Sequence, residues 1–410
     1  MELNPRTKKI IIILIFIILV IILAYLMYLL FFQVTPEAVV INEQVQINGL
    51  PTIGNDENGQ LIGNENTTNS ESLTNQEKTD KQKQPEAIVE TIDATSGQKV
   101  FGLTRNNTGQ LQYYDQNNGQ FYKYFSGQKV LMSDKIFHNV EQIAWSHNGQ
   151  RAVLEYPDGA NIVYDFIRQK QITLPPEMTG FSFDSTGEKI AAKVITDFPD
   201  NNWIVTANYD GSGIFFVEHL GDKSRDVQMN WSPAGEIVGT YREGKDFERQ
   251  EVFPLSKSGN NLKSLVVEGR NFEYQWAPQG DYILYSVYSS KSEQKPILYL
   301  ANMAGDQTGM YKVNLGLNTW SDKCVFTSDS TKVYCAVPTS LPKLAGIFRE
   351  LTNNVSDNFY EIDLNSGFKT LLNTAANGSI RATNMSISTD GDILYFVDSS
   401  SGELKQIKLR

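Results

Sequence analysis

One phrase returns six times along this chain, and its spacing leaves few folds open. It reads IAWSHNGQRAVLEY from residue 143, FSFDSTGEKIAAKV from 181 and MNWSPAGEIVGTY from 229. It returns as YQWAPQGDYILYSV from 274, CVFTSDSTKVYCAV from 324 and MSISTDGDILYFV from 385. The shared order is apolar, any residue, aromatic, Ser or similar, two turn residues, Gly, polar, then a β-branched run. This is the pattern of a hairpin: one strand ends on the aromatic, Gly with its Asp or Asn neighbours makes the turn, and a second strand leaves. The aromatic position holds Trp145, Phe183, Trp231, Trp276 and Phe326, then Ile387, at separations of 38, 48, 45, 50 and 61. A period in the forties with four short strands per repeat predicts propeller blades. Two more strands follow each hairpin, for example PILYLANM and MYKVNLGL in the fourth copy. Before the first copy, VFGLT, LQYYD, QFYKYF and KVLMS read as a whole blade without the phrase. The expectation is an all-β, seven-bladed β-propeller of four-stranded antiparallel blades. Six or eight blades follow if the residues before 143 are not one blade. The last blade shows only three strands, and an unpaired edge there is an aggregation hazard. EAIVETID at 86–93 is expected to close the ring as its outer strand.

The residues before the repeats divide in three. Ile10 to Phe32 is an apolar run of 23 residues without a charge. A helix of that length reaches roughly 34 Å, enough for a bilayer core of about 30 Å. Arg6, Lys8 and Lys9 precede it and the next basic residue is Lys78, an asymmetry that predicts a cytoplasmic N-terminus and an extracytoplasmic remainder. The run exceeds the apolar core of a signal peptide, and no small-x-small cleavage site follows it. From Gln33 to Gln98 eleven Asp and Glu stand against three Lys, so most of the formal charge of −11 is local. No aromatic residue lies between Phe32 and Phe101. Such a stretch cannot bury enough apolar area to offset its ordering entropy. The expected organisation is a cytoplasmic tail over 1–9, a single membrane span over 10–32, a disordered acidic linker over 33–85 and the propeller over 86–410. The acidic balance gives nucleic-acid binding no support.

Cys324 and Cys335 are the only cysteines. With the turn of the fifth phrase at Ser328–Thr331, Phe326 faces Val333, Val325 faces Tyr334 and Cys324 faces Cys335. Opposed residues of an antiparallel pair are close enough for a disulfide, and an extracytoplasmic compartment lets one persist. A cross-strand disulfide is expected, with two buried reduced thiols as the rival reading.

The phrase, most closely in NWSPAGE, resembles the WSPDG-type repeat of TolB-like propellers, which also occurs in the propellers of prolyl-oligopeptidase-type enzymes. The whole chain is similar to single-anchor bacterial envelope propellers in which a CVWS…YCAVP phrase recurs, a likeness that carries no activity with it. The TolB resemblance implies a protein-docking module.

Catalytic patterns are scarce. The histidines are His138, His147 and His219, and no G-x-S-x-G occurs. Two cysteines without a neighbouring His leave too few ligands for zinc. Asp197 and Asp200 in TDFPDNN lack an EF-hand pattern. No phosphate-binding Gly loop is present, and no metal or cofactor is expected. Propeller function usually lies on loops at one face. SLPKLAGIFRELTNN at 340–354 has a Ser cap, an early Pro, and Leu341, Leu344, Ile347, Phe348 and Leu351 at helical spacing, which predicts a short helix. Phe348 and Leu351 on that segment, Trp203, Trp320, Arg242, Arg270 and Arg381 are the candidate binding residues. The first expectation is a non-catalytic module docking an envelope protein or peptide. The alternatives are a glycan- or wall-binding protein using surface aromatics, and a hydrolase or lyase using carboxylates in the funnel.

Overall fold

The computed structural model describes residues 19, 89–92, 95–372 and 380–409. The tail, the linker and all but one residue of the apolar run lie outside the described residues. Among the described residues no helix is long and apolar enough to cross a membrane.

Seven four-stranded antiparallel sheets are present. Blade 1 runs from Val100 to Leu131, blade 2 from Gln142 to Leu174 and blade 3 from Met178 to His219. Blade 4 spans Val227–Val267, blade 5 Arg270–Asn314 and blade 6 Cys324–Leu372. Blade 7 takes three strands from Ala382–Lys408 and its outer strand from Val89–Thr91, which pairs antiparallel with Leu404–Lys408, Val89 opposite Ile407. Within the segment expected to close the ring, Val89–Thr91 does so. First strands approach one another in turn from blade 6 through blades 7, 1, 2 and 3 to blade 4, and the first strand of blade 5 is joined to its neighbours by Trp276 Nε1 on the Asn230 carbonyl and Gln275 Nε2 on the Cys324 carbonyl. The ring is therefore closed and those strands are innermost.

The repeated phrase explains each blade locally. Trp145, Phe183, Trp276, Phe326 and Ile387 end first strands, and Trp231 follows one that ends at Met229. The anchors also join blades: Trp145 Nε1 donates to the Gly102 carbonyl at 2.8 Å, and Trp276 Nε1 to the Asn230 carbonyl at 2.9 Å. The turn glycine is needed because this position has positive φ, as at Gly149 (67°) and Gly280 (74°). In blade 6 the glycine is replaced by Ser330, which adopts φ 59°.

Cores fill the seams between blades. Between blades 5 and 6, Leu284, Leu298 and Leu300 pack with Phe326, Val333 and the two cysteines. Cys324 lies opposite Cys335 in the expected register and the two form a disulfide.

Candidate functional site

Each blade's first-to-second and third-to-fourth connections lie at one rim. Its second-to-third and inter-blade connections lie at the other. Several of the longest connections belong to this second rim: 195–202 in blade 3, 289–295 in blade 5 and 339–356 in blade 6. The segment 339–356 is not the short helix expected from its spacing. It is a series of turns followed by one 3-10 turn, Arg349–Thr352. Leu344 takes φ 69°, which no helix permits, and Ala345 is fully buried.

Two of these loops, 289–295 and 339–356, are bonded with the blade 4 loop 245–249 into one ridge across blades 4, 5 and 6. Glu248 accepts from the Ser290 N–H at 3.1 Å. The carbonyls of Glu293 and Gln294 accept from the N–H groups of Leu344 and Gly346 at 3.1 and 2.7 Å. Arg270 donates to the carbonyls of Asp246 and Phe247. Arg381 donates to the carbonyl of Asn353 and to the Asn354 side chain. Arg349 binds both oxygens of Asp322 at 2.9 and 2.7 Å and lies over the Trp320 ring, 4.7 Å from its centroid. Apolar side chains project from this bonded frame. Phe247 is 97% exposed, and Leu344, Ile347, Phe348 and Leu351 are 42–49% exposed.

Beside the ridge a chamber of about 430 Å³ opens between the inner strands of blades 2 to 5. Its charged lining is Glu155, Lys193, Arg225, Asp226, Arg242 and Glu273. Glu155 accepts from the Thr179 hydroxyl at 2.9 Å and the Gly180 N–H at 3.0 Å. The Lys193 ammonium donates to the carbonyls of Ser224 and Val227 at 3.1 and 3.3 Å, and burial lowers its pKa. Arg242 donates to the Phe272 carbonyl at 2.8 Å and lies 3.9 Å from Asp226. Burial, with Asp322 as a second cause, pushes the Glu273 carboxyl above the usual range, even with Arg349 at 3.9 Å. First strands of blades 1, 3, 5 and 7 carry bulges where Gly102, Gly180, Asn271 and Asn384 take positive φ. A non-glycine residue in that region is strained, and such strain gathers at functional sites. Asn271 lines the chamber and donates to Glu273 at 3.2 Å.

The seven candidate residues separate. Only Arg242 lines the chamber; Arg270 and Arg381 clamp ridge loops instead of converging with it. Phe348 and Leu351 stand on the ridge. Trp320 is 2% exposed and serves as a platform beneath Arg349, so it has no face for a sugar. Trp203 packs edge-on against Phe216 and His219 at the outer half of blade 3. Asp165 and Asp363 at strand ends accept from backbone N–H groups of their own turns. Among the described residues no group of three His, Cys, Asp or Glu is placed to hold a metal ion. Sequence reasoning missed Lys193, Arg225, Glu273, Phe247 and Arg349. A signal existed for part of the chamber: the residue three before each anchor (Gln142, Gly180, Gln228 and Glu273 in blades 2 to 5) lines it.

No family profile matches the sequence, and no curated relative is found. The fold is similar to solved propellers at low identity. The β-propeller domain of Cps50 (Swd1) from Myceliophteria thermophila gives a TM-score of 0.53 at 10% identity over 80% of this chain and 100% of that one. An oligogalacturonate lyase in complex with manganese gives 0.51 at 10% identity over 80% and 97%. A chain of the mitotic checkpoint complex gives 0.50 at 13% identity over 85% and 99%. These likenesses extend to enzyme and non-enzyme propellers alike, and what they share with this chain is the fold: it is a seven-bladed β-propeller.

Proposed function

We propose that this chain is a TolB-like, single-anchor envelope propeller that docks a protein or peptide through the ridge on blades 4 to 6, without catalysis. The carrying observation is the ridge itself: Phe247, Ile347, Phe348 and Leu351 stay exposed on loops held still by Arg270, Arg349 and Arg381. Apolar anchors on a preorganised frame lose little entropy on binding, which is what a docking surface needs. The anchor and the extracytoplasmic address rest on the uncharged run at 10–32 and the basic residues before it. The outer strand Val89–Thr91 starts at the rim opposite the ridge.

Site-specific photocrosslinking in the native envelope tests this. A benzophenone side chain at Phe247 or Phe348 is expected to form a discrete protein adduct, and one at Ile167 on the opposite rim is not. Replacing Leu351 with Ser should abolish the Phe348 adduct. Equal labelling from both rims would overturn the docking reading.

A further inference from the structure

The chamber beside the ridge restricts what can enter it. Its cations Lys193, Arg225 and Arg242 are matched by the anions Glu155, Asp226 and Glu273. Part of this set is internally engaged. Glu155 holds the Gly180 bulge, and Lys193 holds the Ser224–Asp226 turn that carries Arg225. Arg225 is exposed and its guanidinium has no partner among the described residues. Arg242 donates from Nη1 to the Phe272 carbonyl and has Nε 3.9 Å from Asp226, which leaves Nη2 and its two N–H groups for a ligand. Guanidinium groups match a carboxylate in geometry and charge. The surrounding carboxylates oppose a dianion such as phosphate and accept N–H donors. The remaining polar side chains of the lining are the Thr240 hydroxyl and three amides, Gln142, Gln228 and Asn271. Amides pair with peptide groups, which donate and accept in the same way. The volume, about 430 Å³, suits a small ligand or a chain end and excludes a folded domain.

We propose that the chamber binds the C-terminal end of a polypeptide, with Arg225 and Arg242 on its terminal carboxylate and the three amides on its last peptide groups. This deepens the docking function and rests on it, because the ridge then receives the residues that precede the bound end. A guanidinium on a free carboxylate also sets a specificity: amidated or internal segments lack the charge that the chamber reads.

Saturation-transfer NMR on the full chain in detergent tests this. The probes are N-acetylated hexapeptides with a free C-terminal carboxylate, the same peptides amidated, trigalacturonate and inorganic phosphate. Free-acid peptides are expected to bind, amidated ones at least about tenfold more weakly. Arg225→Gln and Arg242→Gln should each weaken the free acids by about as much, while Lys332→Gln, on the far rim, changes nothing. Arg225 is exposed, so its replacement leaves the core intact, and an unchanged melting temperature verifies this. Equal binding of acid and amide overturns the proposal. So does trigalacturonate or phosphate binding in place of peptide, or no binding at millimolar concentration. The docking reading is separated by the ridge adducts. If the Phe348 adduct survives Arg225→Gln and free-acid peptides do not bind, the chamber proposal fails and docking stands. If peptides bind and no ridge adduct forms, docking fails.

Discussion

Reducing the disulfide should lower the stability of the propeller by about 3 kcal/mol, and the structure says where that number comes from. Cys324 and Cys335 close a loop of 11 residues, and the chain-entropy relation assigns a loop of that size roughly 2.8 kcal/mol at 25 °C. The bond joins directly opposed residues of the ladder, so it constrains the unfolded chain without rearranging the native one. About 310 described residues imply a melting entropy of roughly 0.65 kcal/mol/K, so the expected shift is about 4 °C. Scanning calorimetry should compare the oxidised protein, the phosphine-reduced protein and the double variant Cys324→Ala/Cys335→Ala. The variant should melt below the reduced protein. Both sulfurs are buried against Leu284, Leu298 and Phe326, and their removal adds a packing loss to the entropic one. A reduced protein that melts within about 1 °C of the oxidised one would refute the loop-closure reasoning. Alkylation of either cysteine in the unreduced, unfolded chain would show that the bond does not form.

Ser330→Gly should stabilise the protein by about 1 kcal/mol in urea unfolding, because it relieves a left-handed backbone that the other turns give to glycine; no gain would remove the strain argument. Lys323 binds both oxygens of Asp357 at 2.7 Å, with side chains 11% and 0% exposed. Asp357→Asn should therefore cost about 3 to 5 kcal/mol, and the double replacement Lys323→Met/Asp357→Leu distinctly less, since no buried charge is then left alone. Glu273 has its folded pKa raised by burial and by Asp322. It binds more protons folded than unfolded, so its contribution to stability is greatest at low pH and is lost as pH rises from the unfolded value through the folded one. Glu273→Gln should then gain stability relative to the parent at pH 7 and not at pH 4, with equal effects at both pH values excluding the assignment. Arg349→Ala should raise hydrogen exchange across 340–354 while leaving blade 3 unchanged; protection that persists there would mean that Arg349 does not hold the ridge.

The blade, its register and its disulfide were legible because they depend on residues close in sequence. Cys324 opposite Cys335 follows from one turn placed over Ser328–Thr331 and a side-chain period of two. The closing strand was legible for a related reason: a blade short of one strand and an unused strand-like segment at 86–93 have one economical solution. Over 340–354 the helical spacing of apolar residues predicts a helix that the chain does not form. Tertiary contacts won: Gly346 sits against Tyr288 and the carbonyl of Gln294, and Arg349 is pulled to Asp322 and Trp320.

The chamber and the ridge had no such local signature. Glu155, Lys193, Arg225, Arg242 and Glu273 come from four blades, and each sits on its own strand or turn with nothing nearby to mark it. Arg242, Arg270 and Arg381 look alike in sequence, yet one faces the chamber and two clamp loops. By itself the sequence determined the repeat, the strand order within each blade, the cross-strand cysteines and the way the ring closes, since hairpin pairing and turn chemistry act over a few residues. Only the tertiary structure decided which charges meet beside the axis and which loops fuse at the rim. Those contacts exist only once seven blades are brought side by side, and the angle at which neighbouring blades pack is set by side chains buried in the seams between them.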